Sequence, residues 1–139
     1  MIIQRWQNLL LFVGLVLMVW SCFMPVASMP DPAASMDTFL FPVDAPVLLV
    51  LDIVIAMLLG IAIFMYRNLK SQMSVTTITI LLLIAQIITL CVMNLVAMTD
   101  AVFNVQAYIL PAISLICSYA AYRFERKDWK LLRSYDRLR

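Results

Sequence analysis

The chain has 139 residues, of which 65% are hydrophobic and 13% charged, and its mean hydropathy is +0.99. This composition excludes a water-soluble fold. The formal net charge of +2 does not indicate nucleic-acid binding, because the basic residues lie beside apolar runs, where anionic lipid headgroups are the nearer partner.

The first apolar run, residues 9–24, follows Trp6 and stops at Pro25. About 18 to 20 helical residues cross a bilayer core, so the run predicts a membrane span over about residues 7–25. A short apolar stretch that ends at Cys22 is also compatible with a cleaved lipoprotein signal. The bulky Trp20 fits a small-residue processing site poorly, so we expect an uncleaved anchor.

Residues 26–46 form the one sizeable predicted loop. Five of the six prolines in the chain lie between Pro25 and Pro46, and proline at this density opposes a regular helix. Phe39 and Phe41 are aromatic residues of the kind that lie at a membrane interface. We expect an irregular connector on the outer side; a lid that gathers a ligand is the alternative.

Three further apolar runs predict spans over about residues 47–66, 75–96 and 105–122, with short linkers. Runs of this length indicate helices, since strands of a membrane barrel are half as long and alternate in polarity. The predicted fold class is therefore all-α: residues 1–139 form one polytopic four-transmembrane-helix bundle, followed within the same domain by a C-terminal amphipathic cytoplasmic helix.

The orientation follows from the charges that flank the spans. All ten Lys and Arg fall on one side, namely Arg5, Arg67, Lys70 and the seven bases of residues 123–139. The opposite side carries only acids, namely Asp31, Asp37, Asp44 and Asp100. Because Lys and Arg beside short loops stay in the cytoplasm, we expect a bacterial inner-membrane protein with both termini cytoplasmic and the turn over residues 98–104 outside.

Small residues recur at helical spacing in three of the spans. In lipid, such residues allow helix backbones to approach closely. The predicted helix-packing residues are Gly14, Ala56, Gly60, Ser114 and Ser118. They favour a tight bundle and are compatible with a homo-oligomer.

Asp52 lies about 9 Å inside the second span by helix rise. An acid at depth is costly unless it is neutral, paired or hydrated, and no span contains a Lys or Arg. We expect a hydrogen bond from the third span, where Gln86, Thr89 and Asn94 are the available partners. This set is a candidate intramembrane proton or cation site; a structural hydrogen bond or exposure at the outer interface is the alternative.

The last seventeen residues, 123–139, hold seven of the ten bases and read as a helix that continues the fourth span. Phe124, Leu131, Tyr135 and Leu138 share a narrow arc. We expect this segment to lie on the inner leaflet as an amphipathic helix, in contact with anionic lipid or with a protein partner. The predicted contact residues are Arg123, Arg126, Lys127, Trp129, Lys130, Arg133 and Arg137.

The chain lacks the parts of common catalytic and cofactor sites. It contains no His, and its three Cys lie in apolar runs without metal-ligand spacing. Acid–base pairs and activated nucleophiles usually need such residues. We therefore expect no enzyme, no catalytic residue, no metal and no cofactor.

Both ends of the sequence carry a family resemblance. The start MIIQRWQ, the turn YRNLKSQ and the ending KDWKLLRSYDRLR resemble a four-span inner-membrane family of Bacteroidota that is classed as a domain of unknown function. The resemblance covers the whole chain and is most specific in the tail. It implies an uncleaved four-helix membrane protein and supplies no activity.

Two functions remain open at this stage. The preferred one is a non-enzymatic scaffold or accessory subunit that presents the basic tail helix to lipid or to a larger membrane-protein partner. The alternative is a small proton-coupled transporter or channel, built around Asp52 in a dimer. The chain resembles small multidrug transporters in size and number of spans only, since their acidic residue lies in the first span.

Overall fold

A computed structural model of the chain describes residues 2–29, 38–96 and 102–136. Four helices account for most of these residues: α1 (Ile2–Ser21), α2 (Pro46–Phe64), α3 (Leu69–Val96) and α4 (Val105–Asp136). Three short strands complete the fold: β1 (Ala27–Met29), β2 (Thr38–Leu40) and β3 (Val102–Phe103). The predicted all-α class is confirmed, and the strands were not predicted.

The helices overlap all four predicted spans, but their ends differ. α1 runs from Ile2 to Ser21 rather than over residues 7–25, and α3 begins at Leu69 rather than near residue 75. α4 runs without a break from Val105 through the predicted tail to Asp136. By length and composition α2, α3 and α4 can each cross a membrane, whereas the apolar part described in α1, Trp6–Ser21, is shorter. The chain is therefore a helical membrane protein with three helices that meet the length of a span.

The inward-facing side chains of all four helices follow one repeat of alternating three- and four-residue steps. They are Gln7, Leu11, Gly14, Met18 and Ser21 in α1; Leu48, Asp52, Ile55, Leu59 and Ala62 in α2; Leu69, Gln72, Thr76, Thr79, Leu83, Gln86 and Leu90 in α3; and Ala107, Pro111, Ser114, Ser118, Ala121 and Glu125 in α4. A spacing of 3.5 residues is typical of left-handed bundles with coiled-coil packing.

The helices pack in the cyclic order α1–α2–α3–α4, since α1 and α3 each contact both α2 and α4. The start of α1, the turn between α2 and α3, and the end of α4 therefore lie together at one end of the bundle, which we call the tail end. The three strands lie at the opposite end, which we call the sheet end.

The strands close the sheet end of the bundle. β1 lies in the centre and pairs antiparallel with both neighbours, so that Ala27 lies opposite Leu40 and Phe103. The side-chain amide of Asn104 donates to the carbonyl oxygen of Pro25 at 3.1 Å. The predicted irregular connector is thus wrong for residues 27–29 and 38–40. The reason is that β3, which completes the sheet, is more than 70 residues from β1 in sequence, so no local sequence pattern predicts that these two strands pair.

Two predictions fall on residues that the structure does not describe. Residues 30–37, with Asp31 and Asp37, lie outside the described residues, as do residues 97–101 of the predicted outer turn. The prediction of an outer position for these acids is not tested by the described part of the chain. Asp44 lies at the sheet end, at the close of a 3-10 turn that leads into α2.

Candidate functional site

The interior of the bundle is more polar than its surface. Ten polar side chains are buried inside, whereas large apolar side chains such as Phe12, Leu81 and Ile116 are exposed. Lipid solvates apolar surface, so polar residues of a membrane protein face the interior of the bundle. The functional candidates are therefore the polar groups inside, and they form one cluster near each end.

The sheet-end cluster surrounds Asp52, which is only 2% exposed. The side-chain amide of Gln86 on α3 donates a hydrogen bond to Asp52 Oδ1, and Ser21 on α1 lies within hydrogen-bonding reach of the same carboxyl group. A cavity of about 10 Å³ adjoins Asp52, Gln86, Leu90 and Ala107. This volume is close to the room that one water molecule needs.

Pro111, inside α4, leaves one backbone carbonyl group near this cluster without its helical donor. Proline has no backbone N–H, so the carbonyl group of Ala107, four residues earlier, lacks its helical donor. Ala107 is buried and borders the cavity beside Asp52. The cavity is therefore bordered by a carboxyl group and an amide, and α4 contributes a backbone carbonyl that its own helix leaves without a donor.

Of the three predicted partners of Asp52, the structure brings only Gln86 to it. The Thr89 hydroxyl donates to the Ala85 carbonyl oxygen of its own helix at 2.9 Å, and the Asn94 amide donates to the Tyr108 hydroxyl at 3.2 Å. Both residues face away from the bundle axis because they fall outside the 3.5-residue repeat of α3. Asp52 itself is buried rather than exposed at an interface.

The tail-end cluster surrounds Glu125, which is 0% exposed. Glu125 Oε1 lies 2.9 Å from the Thr76 hydroxyl oxygen of α3, and Gln7 of α1 is directed at the same carboxyl group. Gln72, one turn before Thr76, donates through Nε2 to Asn8 Oδ1 at 3.5 Å. Three helices therefore supply polar groups to one buried site.

The sequence did not predict this second cluster, because Glu125 lies among seven bases in a segment that was expected to lie on the membrane surface. A usable signal was present. Ser114 and Ser118, predicted packing residues, continue the inward repeat to Glu125, which lies seven residues after Ser118. Carrying that periodicity past the end of the predicted span would have placed Glu125 inside.

An apolar layer separates the two clusters. Leu11, Met18, Ile55, Leu59 and Leu83 are buried there and pack together. Thr76 and Gln86 are ten residues apart on α3, so the clusters are about 15 Å apart along the bundle. The arrangement consists of two polar clusters separated by a mainly apolar centre, in which Thr79, Ser114 and Ser118 are the buried polar residues.

The predicted packing residues make contacts of different closeness. The Ser114 hydroxyl donates to the Gly14 carbonyl oxygen at 3.3 Å, and a Cβ atom on Gly14 would lie 3.2 Å from Ser114 Oγ. Gly60 is less crowded, since its Cβ would meet Leu15 at 3.5 Å. Ser118 is buried and Ala56 is half-buried. The closest helix approach is thus between α1 and α4.

The tail segment of α4, residues 123–136, separates its charges by sign. Two of its acids turn toward the bundle, with Glu125 buried and Asp128 half-buried, and the side chain of Asp136 lies outside the described residues. Trp129 is half-buried, with the Arg133 guanidinium group 5.2 Å from the centre of its ring. The exposed bases are Arg123, Arg126, Lys127, Lys130 and Arg133. Arg137 lies outside the described residues.

The fold and the two clusters define a helical membrane protein whose polar residues lie inside a four-helix bundle. The chain belongs to the family described as "Domain of unknown function (DUF4293)", whose model matches residues 3–138. This match confirms the expected membership of a family without an assigned function; the origin in Bacteroidota stays a prediction. No curated protein and no solved structure shows a significant match to the chain.

Proposed function

We propose that the protein is a non-enzymatic scaffold or accessory subunit of a bacterial inner membrane, which presents the bases of the tail segment at the cytoplasmic surface. The observation that supports this proposal is the separation of charges in α4. Five bases are exposed, while Glu125 and Asp128 turn toward the bundle. The exposed surface is therefore more basic than the composition of the tail indicates.

Lipid and protein can both be recognised by such a surface. Each base near an anionic leaflet contributes about 1 kcal/mol of attraction. Phe124, Leu131 and Tyr135 are exposed on a separate arc of the same helix and are suited to the interfacial layer or to an apolar groove of a partner. The start of α1 and the end of α4 lie at the tail end with the described bases, and under the positive-inside rule this supports a cytoplasmic position for the surface.

The test replaces the charge of the tail without changing its length. In the variant Arg126→Gln, Lys127→Gln, Arg133→Gln and Arg137→Gln, we expect membrane insertion to persist while crosslinked partners are no longer recovered from native membranes. A matched control exchanges Arg and Lys at the same four positions, which keeps the charge. Recovery of the same partners by the four-Gln variant would refute the proposal.

The control also separates the two kinds of contact. Attraction to lipid depends on charge alone, whereas a bidentate contact with a protein carboxylate needs the guanidinium group. A partner that is lost in the exchanged variant is therefore held by specific Arg contacts. The insertion and orientation of each variant are measured by the accessibility of a cysteine introduced at Ser134.

A second candidate function, a small proton-coupled transporter or channel, is favoured by the Asp52–Gln86 pair beside its cavity. An acid at membrane depth is typical of proton and ion pathways. The test compares proton and substrate flux of Asp52→Asn protein and wild type in liposomes, with Asp44→Asn as the control at an exposed acid of the same end. Equal flux in Asp52→Asn and wild type would rule this candidate out.

A further inference from the structure

The geometry of the tail-end cluster points to a proton-binding site: we propose that Glu125 carries a proton in the packed bundle, and that this proton holds the tail segment against α1 and α3. The proposal concerns a residue outside the predicted spans. It does not rest on either proposed function, because the protonation of one carboxyl group is measured directly.

The Thr76 hydroxyl group has one hydrogen and two short contacts. Its hydroxyl oxygen lies 3.0 Å from the Gln72 carbonyl oxygen and 2.9 Å from Glu125 Oε1. A hydroxyl group has one hydrogen to donate and two lone pairs that accept. The Gln72 carbonyl oxygen and an ionised Glu125 both only accept, so they would share the single hydrogen of Thr76. Both short contacts are full hydrogen bonds only when Glu125 donates.

Buried oxygen atoms without a hydrogen-bond donor also favour a proton at this cluster. Gln7 Oε1, Gln72 Oε1 and Glu125 Oε2 are buried and have no hydrogen-bond partner among the described residues. A buried acceptor without a donor costs about 1–3 kcal/mol. These three oxygens lack a donor in the described cluster, and a proton on the carboxyl group supplies one without requiring additional space.

The described surroundings of Glu125 contain little charge. The side chains that α1 and α3 bring to Glu125 are Gln7 and Thr76, which do not titrate. The charged groups described on the nearby parts of α3, α4 and the turn before α3 have exposed or half-buried side chains: Arg67, Lys70, Arg123, Arg126, Lys127 and Asp128. The side chain of Arg5 lies outside the described residues. None of the described charges is buried with Glu125, and burial disfavours the ionised form of a carboxyl group.

Loss of this proton has a mechanical consequence. An ionised Glu125 must reach water, and it lies on the helix that carries the exposed bases. Solvating it requires the tail segment to move away from Thr76 and Gln7. Proton release and exposure of the inner face of the tail segment are therefore coupled.

The direct test uses the fact that Glu125 is the only glutamate in the chain. Protein made by cell-free synthesis with glutamate labelled at the side-chain carboxyl carbon carries a single labelled carboxyl group. In lipid nanodiscs at about pH 7, infrared or NMR spectra should show this group in the protonated form. The side chain of a free glutamate, by contrast, has a pKa of about 4.3 and is ionised at that pH. A signal from an ionised carboxylate would overturn the proposal.

Two variants connect the proton to the tail. Glu125→Gln keeps the size of the side chain and a donor without a titrating group, and Asp52→Asn removes the other buried acid. With a fluorophore on a cysteine at Ser134, in a background without Cys22, Cys91 and Cys117, the tail should become more mobile as pH rises in wild type and Asp52→Asn, and stay unchanged in Glu125→Gln. Equal pH responses in wild type and Glu125→Gln would contradict the coupling.

A bound monovalent cation is the competing account of the orphaned oxygens. If the labelled carboxyl group were ionised at neutral pH and its signal shifted on replacing potassium by sodium, the site would bind a cation and the proposal would be wrong. If Glu125→Gln failed to fold, the labelled wild-type spectrum and the Asp52→Asn tail response would still decide the question. A protonated signal that persists in wild type and is insensitive to sodium supports the proton.

Discussion

The two buried carboxyl groups of this bundle have the same degree of burial and different neighbours. Asp52 receives a hydrogen from the Gln86 amide, so one oxygen has a donor whatever its own state. Glu125 faces the Thr76 hydroxyl, which the Gln72 carbonyl oxygen also contacts, and its second oxygen, Oε2, has no partner among the described residues. Burial alone therefore does not define a carboxyl site; the balance of donors and acceptors around it does.

The largest effect is expected when Asp52 loses its hydrogen-bond donor, Gln86, at the sheet end. Gln86→Leu leaves Asp52 without its hydrogen-bond donor, so we expect a loss of about 2–3 kcal/mol in the free energy of unfolding. The double variant Asp52→Leu with Gln86→Leu removes both groups and should recover most of that loss. Unfolding by SDS in mixed micelles measures both. Gln106→Leu, at an exposed glutamine of α4, is the control and should have little effect.

The apolar centre between the clusters is tested by its closest helix contact. Gly14→Val inserts a branched side chain where even a Cβ atom would lie 3.2 Å from Ser114 Oγ. We expect it to destabilise the bundle by about 1–3 kcal/mol through overpacking. Gly60→Val is the matched change at a looser contact, where the Cβ atom would meet Leu15 at 3.5 Å, and it should cost less. Equal losses of stability in the two variants would show that the α1–α4 approach is not the tight one.

A smaller effect is expected for the hydrogen bond at the tail end. Thr76→Val keeps the shape of the side chain and removes the hydroxyl group, which should lower the free energy of unfolding by about 0.6 kcal/mol, the average for interhelical hydrogen bonds in a membrane bundle. Thr77→Val, whose hydroxyl bonds only to its own helix, is the control.

The variants Glu125→Gln and Asp52→Asn distinguish the two carboxyl groups through the pH dependence of stability. A group that holds its proton longer in the folded state stabilises the fold at low pH and loses that contribution as pH rises. The stability of wild type should therefore fall with rising pH around neutrality, and that of Glu125→Gln should not. A dependence that disappeared in Asp52→Asn instead would assign the effect to the sheet end.

The smallest expected effect concerns the strands that close the bundle near Asp52. Asn104→Ala removes the side-chain donor to the Pro25 carbonyl oxygen and should cost about 0.5 kcal/mol. Hydrogen exchange of the β1 amides should then be faster, while that of α3 amides near Thr76 stays unchanged. Faster exchange at both ends would mean that the two clusters are coupled through the apolar centre.

Much of the fold was open to prediction because each span has to satisfy its own backbone hydrogen bonds in lipid. A long apolar run is thereby restricted to a helix, and the start of α2 follows from Pro46. The sheet was not open to prediction in this way. Its residues 27 and 28 pair with residues 103 and 102, and such pairing depends on how the helices bring the loops together.

The site was predictable in part for a related reason. Asp52 stands out because an acid in an apolar run has few stable arrangements, and Gln86 was among the partners expected for it. Thr89 and Asn94 were as plausible by depth, since depth follows from sequence position. Which of the three faces Asp52 depends on the rotation of α3 about its axis, and that rotation is set by packing against three other helices.

The sequence by itself determined that this is a helical membrane protein with its bases gathered at one end, because hydropathy and charge act on each segment separately. Only the tertiary structure decided that Glu125 belongs to the interior and that Glu125 and Asp128 turn away from the exposed bases of the tail. A charge in a polar segment is equally compatible with water and with a buried contact. The choice is made by the neighbouring helices, whose Thr76 and Gln7 occupy the space where water would otherwise be.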